Sequence, residues 1–292
     1  MKDGLSGNDM ERTSGCSGFQ GSALQRALTI LLNEDAIDGV ACARAQRLHG
    51  IRSVEVPAPQ FSIVVEGRKH LLDEGSGLEF WPGDVLVMAT GARMDLIHHP
   101  DARRARYQAL VVPLCEEVLA AARLVWGVPV TGTGRRIGRF RSLDHAHVLR
   151  AWAEALAQGD YTGARAALVA LVVAWCQAGM TALLAPPVQT LAQRIRGLVR
   201  ERPAHPWQSS DIEQALGLSG ATLRRRLAAE GGHFRHLLSE TRLACALELL
   251  YTTNLPIKTV AARVGYQSPD GFVRAFKQRY GLNPADIGNV PD

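Results

Sequence analysis

The apolar positions in the last third of the chain follow helical spacing, and one pattern occurs there twice. From Ser219, large apolar residues stand four and eight positions on, an arginine six on and a glycine thirteen on, and the same order restarts at Ser268. Residues four apart share one helix face, so Leu223 and Leu227, like their counterparts in the second copy, are expected to be buried. A serine just before a helix can cap its first amide groups. The repeat therefore predicts two helices of one design.

A shorter helix is predicted before each copy. A Ser-x-x-Glu capping box at Ser210 predicts a helix over Asp211–Leu216, and Pro256 opens another over Ile257–Val264, with a glycine after each. Helix, tight turn and second helix with a basic outer face are typical of a helix-turn-helix unit. Between the units, apolar residues at helical spacing predict one long helix over residues 233–252.

The first half of the chain has a different pattern, with short apolar stretches separated by Gly, Pro and Asp. Gln60–Val65 and Arg68–Asp73 are joined by Glu66-Gly67, which predicts a hairpin with a tight turn. Further strands are predicted at Leu78–Trp81, Val85–Ala89, Met94–His98 and Arg106–Pro113. Such spacing predicts a small barrel or sandwich. Helices are then predicted at Leu114–Trp126, Leu143–Gln158 and Thr162–Gly179, with an arginine-containing loop over Thr131–Ser142.

Composition and charge narrow the function. The 292 residues, 47% apolar and 21% charged, predict two globular domains. Residues 188–292 hold 14 Lys and Arg against 9 Asp and Glu, a net +5, whereas the preceding residues hold 19 of each. A basic excess confined to the duplicated region favours a phosphate-bearing partner. The sequence has no apolar run of about 18 residues, so no membrane span is predicted. Five scattered cysteines predict reduced thiols in a cytoplasmic protein.

The duplicated region resembles the AraC/XylS-type transcriptional regulators. The matching segments are Ala215-Leu-Gly217-Leu-Ser219, Leu223-x-Arg225-x-Leu227, Arg242-Leu-x-x-Ala246-x-x-Leu249-Leu250, Pro256-Ile257, Val260-Ala261-x-x-Val264-Gly265-Tyr266, Phe272-x-Arg274-x-Phe276-Lys277 and Tyr280-Gly281-x-x-Pro284. The resemblance implies two recognition helices that enter successive major grooves, about 34 Å apart. Pro82-Gly83-Asp84 resembles the turn of cupin barrels, which such regulators often carry as an effector domain. Two departures are Gly271 inside the second recognition helix and Ile287-Gly288 in place of an aromatic–arginine pair.

The exposed positions of the two recognition helices are the predicted DNA contacts. Arginine is bidentate to guanine, so the predicted base readers are Arg224 and Arg225 in the first helix and Asp270 and Arg274 in the second. The predicted phosphate contacts are Arg226, Gln267, Ser268 and Lys277. If the barrel binds an effector, its apolar residues are expected to form the pocket. The candidates are Phe61, Ile63, Phe80, Met88, Met94 and Tyr107, with ordinary hydrophobic core as the alternative for each.

No metal or catalytic site is predicted. Metal-binding cupins use a His-x-His pair, whereas His70 stands alone here and the adjacent His98 and His99 would point to opposite faces of a strand. No Ser-His-Asp, Cys-His or paired-carboxylate arrangement is present in the sequence pattern. The expectation is therefore a protein that is not an enzyme and needs no cofactor.

The sequence predicts an α+β chain in which a cupin-like barrel and helices precede an all-α domain with two helix-turn-helix units joined by a long helix. The predicted parts are a disordered tail (1–22), a cupin-like effector domain (23–130), a helical extension (131–183), a linker (184–187) and an AraC-type DNA-binding domain (188–292).

The expected function is sequence-specific DNA binding in transcription regulation, with double-stranded DNA, RNA polymerase and a small-molecule effector as partners and no membrane contact. Two alternatives stay open: a metal-dependent cupin enzyme fused to a DNA-binding tail, and an adaptor whose helix-turn-helix units bind protein. The apolar stripes of the two helices after the barrel fit either a homodimer or packing within one chain.

Overall fold

A computed structural model describes residues 18–33, 39–73, 76–130, 134–186 and 190–287. The chain divides into two compact units, residues 1–186 and 187–292. Residues 1–17 of the predicted tail and Pro187 of the predicted linker lie outside the described residues. The described end of the predicted tail belongs to the folded core, because the side chain of Phe19 is fully buried there.

The first unit is built from strands with helices before and after them. Its elements, in chain order, are α1 (Ala23–Asn33), β1 (Ala41–Ala45), β2 (His49–Glu55), β3 (Gln60–Glu66), β4 (Arg68–Asp73), β5 (Ser76–Phe80), β6 (Asp84–Met88), β7 (Arg93–His99), β8 (Tyr107–Pro113), α2 (Glu116–Trp126), β9 (Ile137–Arg141), α3 (Ala146–Ala157) and α4 (Tyr161–Gln177).

The strands form two antiparallel sheets, in the orders β1-β8-β3-β6-β9 and β2-β7-β4-β5. The sheets face each other, since Lys69 Nζ of one donates a hydrogen bond to Ser62 Oγ of the other at 3.3 Å. No hydrogen-bonded strand pair joins the two sheets in the described part, so the barrel is open. The α+β fold class predicted from the sequence is confirmed.

The predicted β3–β4 hairpin is wrong, although both strands exist. Strand β3 pairs with β6 and β8, whereas β4 pairs with β5 and β7. Between them, Gly67 has φ +74°, and a Cβ added there would lie 2.5 Å from the carbonyl oxygen of His99. Glycine at this position lets the chain cross from one sheet to the other at a point where another backbone approaches closely.

The predicted arginine-containing loop contains a strand. Strand β9 pairs with β6 along the edge of the five-stranded sheet. Its Arg139 donates to Asp84 Oδ2 at 2.8 Å and lies over the ring of Phe80. Residues 131–133 of the predicted loop lie outside the described residues. The ion pair and the ladder explain why so polar a stretch is ordered as a strand.

Helices α3 and α4 cover the outer face of the five-stranded sheet. The ring of Phe61 lies 5.8 Å from that of Trp152 and 5.1 Å from that of Trp175, and both tryptophans are fully buried. The apolar stripes of the two helices are therefore buried within the chain, as the packing alternative expected. No helix in the described ranges is long and apolar enough to cross a membrane.

The second unit is helical. Its elements are α5 (Leu191–Glu201), α6 (Ser209–Leu216), α7 (Gly220–Ala229), α8 (Phe234–Thr252), α9 (Ile257–Arg263) and α10 (Pro269–Tyr280), followed by a 3₁₀ turn over Pro284–Ile287. A capping box between Thr190 and Gln193 starts α5. The 19-residue α8, roughly 28 Å long at 1.5 Å per residue, separates the α6–α7 pair from the α9–α10 pair.

Candidate DNA-binding surface

The first pair of helices turns at a glycine. Gly217 ends α6 in the left-handed region, at φ +63°. The start of α6 differs from the prediction, because the capping box is formed by Gln208 and Asp211 rather than by Ser210 and Glu213. Asp211 Oδ2 accepts the amide hydrogen of Gln208 at 2.7 Å, so the helix begins two residues earlier than expected.

Helix α7 has a buried side and a basic side. Ser219 Oγ accepts the amide hydrogen of Thr222 at 3.3 Å, which confirms the predicted cap. Leu223 and Leu227 are buried in a cluster with residues of α5, α6 and α8. Arg224, Arg225 and Arg226 are all exposed. The sequence of α7 thus fixes which side packs and presents three successive cations to solvent.

The second pair repeats this design. Gly265, at φ +82°, forms the turn after α9, and a Cβ there would lie 2.8 Å from the carbonyl oxygen of Pro203. Ser268 Oγ accepts the amide of Gly271 at 3.1 Å, with proline at the first helical position. Phe272 and Phe276 are fully buried, as predicted. Their rings belong to a row of aromatic contacts that runs from Tyr266 to Tyr280.

The outer face of α10 borders a shallow open depression. It is lined by Asp270, Val273, Arg274, Lys277 and Gln278. Gln278 was not among the predicted contacts, although its spacing of four from Arg274 places it on the same face. By the 49-residue offset of the repeat, Arg274 corresponds to Arg225. Gln267 and Ser268 are exposed just before the helix. The predicted contacts of the second unit therefore lie together on one surface.

The exposed cations of α7 and α10 are available to a partner. Within the described ranges, Arg224, Arg225, Arg226, Arg274 and Lys277 form no ion pair with a carboxylate. All five are exposed. These five side chains are therefore free of ion pairs and accessible to a partner that approaches either helix.

Other arginines of the same unit are structural. Arg279 Nε donates to Glu240 Oε2 at 2.6 Å, which ties α10 to α8. Arg242 donates to the carbonyl oxygens of Pro203 at 3.0 Å and of His205 at 2.7 Å, which ties α8 to the segment between α5 and α6. The sequence shows these arginines and the exposed ones alike as basic positions, and only the contacts separate them.

The six predicted effector residues do not form one group. Phe61 and Ile63 face the helices and belong to their hydrophobic cluster. Strand alternation turns Met88 and Tyr107 to the other face of the same sheet, toward the space between the sheets, where Phe80 and Met94 are also buried. Phe61 and Ile63 are therefore core residues, whereas the other four line the barrel interior.

The described residues contain no group of three or more His, Cys, Asp or Glu placed to hold a metal ion. His98 is buried between the sheets, whereas the adjacent His99 is only partly covered on the opposite face of β7. His98 is thus an interior residue, and the two adjacent histidines point to opposite faces of the strand, as the sequence predicted.

Comparison with known proteins agrees with this geometry. Residues 212–289 match the model of a helix-turn-helix domain family. The chain is 34% identical over 95 residues to the urease operon transcriptional activator of Escherichia coli, covering 32% of each chain. It is 36% identical over 124 residues to the ornithine utilization regulator of Pseudomonas aeruginosa, covering 41% of this chain and 36% of that one. The chain spans less than half the length of these curated relatives.

Most of the chain is similar in fold to ToxT of Vibrio cholerae. An apo ToxT variant superimposes with a TM-score of 0.60 over 85% of this chain and 95% of that chain, at 14% identity. The structure of ToxT with a bound unsaturated fatty acid gives a TM-score of 0.58 at 15% identity, over 85% and 93% of the two chains.

The second unit is therefore a double helix-turn-helix domain, in which two capped recognition helices are held by one long helix. Its sequence motifs resemble those of AraC-type regulators, and the matched segments are similar to transcriptional activators and regulators.

Proposed function

We propose that the chain is a transcription regulator that binds double-stranded DNA through α7 and α10. The observation that carries this proposal is the repeated geometry of the two helices, each with a buried apolar side and exposed cations on the other. Phosphates attract such cations whatever the sequence, and side chains that reach the major groove read the base edges. The relatives named as transcriptional activators and regulators support the same function.

Base reading is assigned to the centre of each exposed face. Arg224 and Arg225 serve this role in α7, since a guanidinium can pair with both O6 and N7 of guanine. Asp270 and Arg274 serve it in α10. A carboxylate accepts from the amino group of cytosine, so the second helix is expected to prefer a different base pattern from the first.

Phosphate binding is assigned to the ends and flanks of the same faces. Arg226 and Lys277 supply charge, while Gln267 supplies amide donors. Ser268 uses an oxygen lone pair to cap α10, which leaves its hydroxyl hydrogen for a phosphate oxygen. These contacts would fix the register of the domain on the duplex.

The first unit is proposed to act as a sensor for a small-molecule effector. It has the fold of the corresponding part of ToxT, which has been crystallised with an unsaturated fatty acid. We further propose that the chain contacts RNA polymerase in the cytoplasm and forms a homodimer, which would double the DNA contacts. We assign no enzymatic step to the chain.

The proposal is tested by gel shifts. The DNA is an operator that the full chain selects from a random pool. Arg225→Ala should relax preference at one base pair and cost about 1–3 kcal/mol there. Lys277→Ala should weaken all sequences equally and lower the salt slope by about one ion. Arg194→Ala, an exposed arginine of α5 outside both helix pairs, serves as the matched control. Uniform weakening by both test variants, with base preference intact, would show that Arg225 does not read bases.

A further inference from the structure

Three basic side chains stand in a row between the two sheets. The register of the four-stranded sheet places His49 opposite His98, His98 opposite Lys69 and Lys69 opposite Phe80. The three basic side chains and that of Phe80 are all buried, and Lys69 is only 5% exposed. The ring of His98 lies 5.2 Å from that of His49 and 4.7 Å from that of Tyr107 on the facing sheet. The row therefore lies inside the barrel.

Lys69 has few partners for a buried ammonium group. Its Nζ donates to Ser62 Oγ at 3.3 Å and lies 5.9 Å from the centre of the Tyr107 ring. An ammonium group has three donors, and lysine is rarely buried without a paired charge. Among the described residues no carboxylate forms an ion pair with it. Glu66 and Asp84, the buried acids among the described residues, form ion pairs with other cations, Glu66 with two arginines and Asp84 with Arg139.

The interior carries a positive charge at neutral pH. Burial lowers the pKa of Lys69 to about 8, which leaves roughly nine in ten of its amines protonated at pH 7. Burial, followed by the charge of Lys69, lowers the pKa of His98 well below its usual value, so this imidazole is neutral. An uncompensated buried charge is unfavourable, and an anion placed beside it would reverse that cost.

We propose that the barrel interior binds a small organic acid whose carboxylate pairs with Lys69. This inference rests on the proposed sensor function and names the class of its effector. Ser62 Oγ accepts from the ammonium, so its hydroxyl hydrogen is placed to be donated to the same carboxylate. Apolar side chains lie beside the row, since Phe80 and Met94 are buried there, so we expect the remainder of the ligand to be hydrocarbon.

Calorimetric titrations of the full chain with benzoate and octanoate, and with their uncharged amides, test the proposal. At least one acid should bind ten-fold or more tightly than its amide. Lys69→Met should reduce the affinity for that acid to the level of the amide and leave the amide unchanged. Arg52→Met removes an exposed cation of β2 and should change neither affinity. Inorganic phosphate is titrated as a fifth compound and should bind more weakly than the acid.

Equal affinities for acid and amide in the unchanged protein would overturn the proposal. So would an acid preference that survives Lys69→Met, or phosphate binding that exceeds binding of both acids. Gel shifts on the selected operator, run with the same preparations, separate this inference from the proposed function. Intact operator binding without acid preference would overturn only the acid site. Acid binding without operator binding would overturn the proposed function instead.

Discussion

Replacing Lys69 by methionine should stabilise the first unit at neutral pH. A lysine normally titrates at 10.5, and burial lowers the pKa of Lys69 to about 8 in the folded chain. Each pH unit between these values corresponds to about 1.4 kcal/mol, so the ammonium costs the folded state about 3 kcal/mol at pH 7. Methionine removes this cost but leaves Ser62 Oγ without its donor, a loss of about 1 kcal/mol. The net gain expected at pH 7 is therefore about 2 kcal/mol.

The gain should depend on pH with a definite sign. Below pH 8, Lys69 is protonated in both states and the full penalty applies. Between pH 8 and 10.5, only the unfolded state still holds the proton, so the free energy of unfolding of the unchanged protein rises with pH. Above 10.5 the amine is neutral in both states. The advantage of Lys69→Met should then vanish, leaving the variant less stable by about the one lost hydrogen bond.

Urea unfolding at pH 7, 9 and 10.5, followed by tryptophan fluorescence, measures this difference. Four of the five tryptophans lie in the first unit, namely Trp81, Trp126, Trp152 and Trp175. His49 and His98 both face Lys69, and the charge of Lys69 helps to lower the pKa of His98, so that pKa should rise in Lys69→Met. Burial, the larger cause of the lowering, remains in the variant, and the imidazole of His98 therefore stays neutral at pH 7 and above. Arg52→Met should show no such trend. A stability difference that is absent at pH 7, or equal at all three pH values, would refute the burial of a charged Lys69.

Three further predictions concern the second unit. Gly271→Ala should change the free energy of unfolding by less than about 0.5 kcal/mol, because two effects oppose each other. Alanine in a helix gains about 1 kcal/mol over glycine, but the new Cβ would lie 2.9 Å from Ser268 Oγ and displace the cap. In the Ser268→Ala background, where that cap is absent, urea unfolding should show the full gain. Glu230→Ala should lower the free energy of unfolding by about 1 kcal/mol, because the Glu230 carboxylate accepts the amide hydrogens of Leu191 and Ala192, each at 2.9 Å. Glu201→Ala replaces an exposed glutamate at the end of α5 and should leave the free energy of unfolding unchanged. A fragment of residues 188–292 should fold alone and retain operator binding in a gel shift; an insoluble fragment would count against the predicted boundary.

The helix-turn-helix units could be predicted from sequence because their determinants are local. The caps at Ser219 and Ser268, the turn glycines and the apolar spacing of four each act within one or two helical turns. The exception is the start of α6, where Gln208 and Asp211 form a box that competes with the Ser210 pattern. Such competition between neighbouring caps is decided by side-chain geometry that the sequence does not display.

The individual strands of the barrel could be predicted from the sequence, but the pairing between the strands could not. Strand pairing depends on contacts between distant segments, and the local turn at Glu66-Gly67 predicted a hairpin that the sheets do not contain. The buried row was also missed, because Arg68, Lys69 and His70 are all polar and no hydrophobic alternation marks which one faces inward. Only the pairing of β4 with both β5 and β7 places Lys69 between the sheets.

The most direct test of DNA reading by two unequal recognition helices is a footprint of variants on one mapped operator. Helix α7 presents three adjacent arginines, whereas α10 presents Arg274 and Lys277 beside the acidic Asp270. Charge alone makes the first helix the stronger anchor. Joint replacement of Arg224 and Arg225 by alanine should therefore abolish protection of both half-sites, while Arg274→Ala should retain a specific complex with one half-site protected. Full protection of the first half-site in the double variant, or loss of that half-site with Arg274→Ala, would contradict this assignment.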